Sequence, residues 1–259
     1  CSTGANNTGV GYKALEATTT GANNTGIGYG ALNVNTTADD NTALGWGSLN
    51  QNTTGEDNTA VGKDTLISNT TGSYSTAIGN ESLASNTTGR NTAVGHRSLR
   101  TVTTGNNNTG IGDHALNACT GSYNTALGHA ALQQNTSGES NVAVGRLALT
   151  LNTTAASNTA IGHASMESNT TGAYNVAVGR SALGANTTGE QNTAFGGKAL
   201  QSNTTAGYNT AIGYQAGRDN TTGTGMVAVG YAALIKQTTG AQNTACGYDA
   251  LGENTTGTN

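Results

Sequence analysis

Residues 58–74 read Asn58-Thr59-Ala60-Val61-Gly62-Lys63-Asp64-Thr65-Leu66-Ile67-Ser68-Asn69-Thr70-Thr71-Gly72-Ser73-Tyr74, and the phrase begins again at Ser75-Thr76-Ala77-Ile78-Gly79. The string Asn-Thr-Ala-Ile-Gly, or a close variant, closes on Gly11, Gly28, Gly45, Gly62, Gly79, Gly95, Gly112, Gly128, Gly145, Gly162, Gly179, Gly196, Gly213, Gly230 and Gly247, fifteen copies in all. The step is 17 residues, except for 16 at Gly79→Gly95 and Gly112→Gly128. A fixed period of this length is the signature of a stacked repeat, in which each unit buries its apolar face only against its neighbours. No spacer or shift of composition interrupts the pattern. The expected organisation is a single repeat domain over residues 1–259, without terminal caps.

Eleven of the repeats carry a second Gly ten residues after the first, as at Gly55, Gly72 and Gly89. Gly marks chain corners. Between corners lie Asn-Thr-Ala-Ile and Ala-Leu-x-x-Asn-Thr-Thr, and β-branched Thr, Ile and Val favour strands. Asn, Thr and Gly are poor helix formers. The reading is all-β: a β-solenoid of fifteen coils with two short strands per coil. At the strand spacing of ~4.8 Å it predicts a rod on the order of 70 Å long.

The columns predict the core. Leu follows Ala, Ser or, once, Thr after the first corner at Leu15, Leu32, Leu49, Leu66, Leu83, Leu99, Leu116, Leu132, Leu149, Leu183, Leu200, Leu234 and Leu251, with Met166 and Gly217 as the exceptions. These side chains are expected to stack as a ladder, together with the Ile/Val/Leu column before the first Gly. Cys246 stands in that second column and is therefore expected to be buried. The column at Ala43, Ala60 and Ala77 never exceeds Ala in size. Lateral packing on a second chain and tight corner geometry both account for it. The Asn of Asn-Thr-Thr (Asn52, Asn69, Asn86 and their equivalents) is expected to form a stacked amide ladder. Many of these are also Asn-x-Thr sequons, but the ladder alone explains their period.

Composition excludes several classes. Thr, Asn and Gly make up 119 of 259 residues, charged residues are 9%, and there is no Pro. Collagen and polyproline rods are excluded. The net charge of −4 has the wrong sign for nucleic acid, and no apolar run approaches the ~18 residues of a membrane span. The partners expected are therefore other copies of the chain and surface glycans, with no nucleic acid and no membrane insertion.

The phrase Asn175-Val176-Ala177-Val178-Gly179, followed by Arg180-Ser181-Ala182, resembles the head repeats of trimeric autotransporter adhesins. It also resembles the arrays of phage and bacterial surface tail-fibre proteins. The resemblance covers essentially the whole chain through a short motif, with a longer period and an added Asn-Thr-Thr-Gly arm. It implies a left-handed parallel β-roll, trimeric lateral association and an extracellular or cell-surface setting.

Specific function is expected in the variable columns. The residue after the first Gly is aromatic towards both ends, at Tyr12, Tyr29, Trp46, Tyr214, Tyr231 and Tyr248. Stacked aromatic rings of this kind offer a binding or self-contact surface. The same column holds His96, His129 and His163 in alternate coils. They stand roughly 10 Å apart, too far for two to reach one ion. A His96–Asp113–His129 set is the one metal combination that can be drawn, with His114 one position further along. Solvated side chains are the preferred reading, so no metal and no cofactor are expected. Gly9-x-Gly11-x-x-Ala14 matches a dinucleotide fingerprint only because it is the repeat itself, and no helix follows. No catalytic residues are expected, and the chain reads as non-enzymatic.

Cys1 and Cys119 fall in the Asn column, too many coils apart to pair. A chain starting at Cys1 also admits a lipoprotein reading. Cys1-Ser2-Thr3-Gly4 has the phase of Asn254-Thr255-Thr256-Gly257, which predicts head-to-tail stacking through uncapped strand edges. The function expected is an extracellular structural fibre subunit or surface adhesin that self-assembles into a filament or other homo-oligomer. The alternative is an ice-binding β-solenoid.

Overall fold

The structure is a computed structural model that describes residues 3–258. It is all-β, a β-solenoid with one short strand per coil. It divides into two compact units, residues 1–124 and 125–259. Cys1 and Ser2 lie outside the described residues, and so do the readings that rest on them.

The first unit holds β1 (Thr8–Val10), β2 (Thr25–Ile27), β3 (Thr42–Leu44), β4 (Thr59–Val61), β5 (Thr76–Ile78), β6 (Asn91–Val94) and β7 (Asn108–Ile111). The second holds β8 (Thr125–Leu127), β9 (Val142–Val144), β10 (Thr159–Ile161), β11 (Val176–Val178), β12 (Thr193–Phe195), β13 (Thr210–Ile212), β14 (Val227–Val229) and β15 (Thr244–Cys246). Within each unit, consecutive strands pair parallel and in register. Ala60 lies opposite Ala77 and Ala160 opposite Ala177. Register holds because every inward column matches itself from coil to coil, so a slip by one residue would invert both faces.

Only the Asn-Thr-Ala-Ile segment is a strand. The expected second strand is a run of turns. In the coil after Gly45, hydrogen bonds Ser48 N→Gly45 O, Asn50 N→Gly47 O and Asn52 N→Leu49 O close three overlapping β-turns. The third residue of the first turn is Gly47 at φ 65°, and that of the second is Leu49 at φ 49°. Every described residue of the Leu ladder has a left-handed φ, a conformation that costs an L residue roughly 1–2 kcal/mol. Burial offsets this, at about 1.5–3 kcal/mol per Leu. The turns still stack between coils, as in Leu49 N→Thr65 O and Gln51 N→Ile67 O.

The Leu ladder is buried as expected, with Met166 taking its place in one coil. Leu251, in the last described coil, departs from it at 53% exposure. The Asn ladder also forms. Asn69 Nδ2 donates to Asn52 Oδ1 (2.9 Å) and Gly72 O (2.9 Å), and Asn86 Nδ2 donates to Asn69 Oδ1 (3.2 Å). These Asn are fully buried, so the sequons are structural in the folded coil. A second Asn column precedes each strand. Asn58 N–H donates to Asn41 Oδ1 and Asn58 Nδ2 to Gly72 O. Two amide ladders thus satisfy the backbone groups that the turns leave unpaired inside the coil.

The Ile/Val/Leu column is not core. Strand side chains alternate. The leading Asn and the Ala point inward, so Thr and the residue before the first Gly point outward. Val10, Leu44, Ile78 and Phe195 are exposed, and so is Cys246. The inward Ala column is small because the Leu side chain already fills the space in front of it: at Gly26 a Cβ would meet Leu15 Cγ at 3.2 Å. Core packing, rather than a corner or a second chain, sets that size limit.

Candidate functional site

The outward strand face carries two columns. One is Thr (Thr25, Thr42, Thr59, Thr76, Thr92 and Thr109 in the first unit), replaced by Val142, Val176 and Val227 in the second. The other is Ile, Val, Leu, Phe or, once, Cys, reaching 57% exposure at Val10 and 55% at Phe195. Neither column contains a charge. In-register pairing lines each column up along the sheet of its unit.

Beside this face lies the aromatic column, and its rings stack as the sequence predicted. Tyr12 and Tyr29 lie 5.3 Å apart between centroids, and Tyr29 and Trp46 lie 5.8 Å apart. In the second unit Tyr214–Tyr231 and Tyr231–Tyr248 are stacked at 5.6 and 5.0 Å. All six rings are exposed. A further aromatic column escaped the sequence reading: Tyr74, Tyr123, Tyr174 and Tyr208 all occupy the left-handed corner two residues before the strand and are exposed. Its signal was present in the repeat, since that position never holds a β-branched residue.

The first 16-residue step places a groove beside Tyr74. The corner Gly89-Arg90-Asn91 lacks one residue of the repeat. A surface cavity of about 430 Å³ opens there, lined by Tyr74, Arg90 and Asn107 among others. The Arg90 guanidinium lies 4.7 Å from the Tyr74 ring centroid.

Charged residues gather in the middle of the +1 and +2 columns. Arg97 Nε and Arg100 Nε both donate to Glu81 Oε2 (3.1 and 2.6 Å), and these hydrogen bonds, Arg97's foremost, hold the Glu81 carboxyl below the usual range. Asp113 Oδ1 meets His96 Nδ1 at 2.9 Å and His114 Nδ1 at 2.8 Å. The His96 contact is the chief reason that the Asp113 carboxyl is lowered. The cluster is therefore His96, Asp113 and His114. His114, noted in the sequence as one position further along, joins His96 and Asp113 because a side chain at +2 reaches its +1 neighbour, which column position alone does not show. His163 lies instead beside Arg146, with Nη1 and Nε2 3.1 Å apart. Cys119 is buried in the Asn column as expected, bonding Gly121 O. No described helix is long and apolar enough to cross a membrane.

No protein-family model, curated protein or solved structure matches the chain.

Proposed function

We propose that the chain is a structural subunit of an extracellular fibre or surface adhesin, in which copies pack laterally through the outward strand face. The observation that carries this reading is the uncharged Thr and Ile/Val/Leu face, exposed although the core is already filled by Leu, Ala and Asn. Parallel sheets are normally covered on both faces, and exposed apolar patches of more than a few hundred Å² mark contact surfaces. The occupant is a second copy, because a column that repeats every coil is matched best by another column of the same period. The stacked Tyr and Trp rings flank the contact and offer a surface for glycans. Electron microscopy of the purified chain in native buffer tests this. Fibres or discrete oligomers support it, and uniformly single molecules overturn it.

A second reading is supported by the same face. The outward Thr row of the first unit, unbroken at the ~4.8 Å strand repeat, suits ice, and the neighbouring apolar row supplies a partner for it. Freezing hysteresis by the monomeric chain would favour that reading over the fibre.

A further inference from the structure

We propose that His96, Asp113 and His114 form a binding site for one divalent transition-metal ion of the zinc, cobalt, nickel or copper class. His96 directly follows the corner after β6, and Asp113 and His114 directly follow the corner after β7. In-register pairing of these strands, Val94 against Ile111, sets the two corners one above the other. His114 has φ 57°. Both imidazoles turn their Nδ1 onto the same carboxylate oxygen, at 2.9 and 2.8 Å. The rings lie edge to face, with centroids 5.3 Å apart at 75°.

The two Nδ1–Oδ1 separations lie at the short end of, or just under, those of ligands around one ion. With metal–ligand bonds of about 2.0–2.1 Å, adjacent donors of an octahedron or tetrahedron stand roughly 2.9–3.4 Å apart. One donor atom from each of the three residues lies within 4.8 Å of the others. Two imidazoles and one carboxylate suit zinc, nickel and copper better than magnesium or calcium, which prefer oxygen donors. On binding, each neutral imidazole gives its Nδ1 lone pair to the metal and carries its proton on Nε2, while the carboxylate stays ionised. Arg97, the residue after His96, is engaged by Glu81. The side chains are 45%, 44% and 28% exposed, so an ion enters without local unfolding and keeps open positions for water or an external carboxylate. Bound there, it links two consecutive coils and stabilises them by mass action.

The test is isothermal titration of the full chain with Zn²⁺, and with Co²⁺ followed by visible absorption. One ion per chain is expected, with a rise in Tm. His96→Ala, His114→Ala and Asp113→Asn are each expected to weaken binding by about tenfold or more. His163→Ala, in the same column but outside the cluster, should leave binding unchanged. Circular dichroism of the metal-free variants checks folding, and His96→Gln and His114→Gln repeat the test with smaller changes of shape. Absence of stoichiometric binding at sub-millimolar metal would overturn the proposal. So would binding that survives the His96→Ala/His114→Ala double replacement.

Discussion

Met226 lies against Gly217, its methyl filling the space in which a side chain on residue 217 would begin. Both depart from their columns, where Asn and Leu are the rule. Gln237 completes the exchange. It replaces an Asn of the ladder, donates to Gly240 O at 2.8 Å and reaches Met226 Sδ at 3.3 Å. Gly217→Leu alone should therefore overpack the coil and destabilise it by about 1–3 kcal/mol. Gly217→Leu with Met226→Asn restores both consensus residues and should recover most of the loss. A double-mutant cycle by thermal unfolding measures the coupling, which should exceed about 1 kcal/mol.

Leu83 is fully buried with φ 50°. Met occupies the same position at Met166 with φ 51°. Leu83→Met should cost less than about 1.5 kcal/mol. Leu83→Val should cost distinctly more, because a β-branched residue is an outlier at this φ. The order of Tm values, wild type and Met above Val, checks the left-handed ladder. The reverse order would indicate extended backbone there.

Asn69→Ala tests the amide ladder. Gly72 O keeps its bond from Asn58 Nδ2, and Asn86 Nδ2 keeps Gly89 O, but Asn52 Oδ1 loses Asn69 Nδ2. A buried acceptor left unpaired costs about 1–3 kcal/mol. Amide exchange should speed up in coils 52–86 of the variant and stay unchanged around Asn186, where the ladder is intact.

Glu81 gives a pH dependence. Arg97 and Arg100 lower its carboxyl below the ordinary value of 4.5. A carboxyl lowered on folding contributes stability above that ordinary value, and the contribution disappears as pH falls through the folded value. Glu81→Gln should thus lower Tm at pH 7, by the equivalent of less than about 1 kcal/mol for partners this exposed. The gap from wild type should close in acid below the folded value. A gap that persists there would assign the loss to packing.

Where a column is one residue type deep, sequence and contact coincide. In an in-register stack, residue 52 meets residue 69 and residue 69 meets residue 86, so the Leu ladder, the Asn ladder and the Tyr12–Tyr29–Trp46 stack were legible directly. Parity was not. Ala60 and Val61 are both apolar, and nothing in Asn-Thr-Ala-Val says which of the two faces inward; Leu66 filling the interior decides it. The turns were hidden because Leu is unfavourable in a left-handed conformation and so does not signal one. His114 was hidden because its partner Asp113 is its chain neighbour, while their shared contact, His96, lies one coil away.

The claim that other copies cover the outward strand face is tested most directly by sedimentation equilibrium of the wild-type chain against an Ile161→Asp/Ile212→Asp variant. Both side chains are exposed on that face, at 40% and 42%, so the variant should keep the wild-type circular dichroism. The account predicts a concentration-dependent oligomer for the wild type and a monomer for the variant. A wild type that remains monomeric at every concentration, or a variant that associates as tightly as wild type, would contradict it.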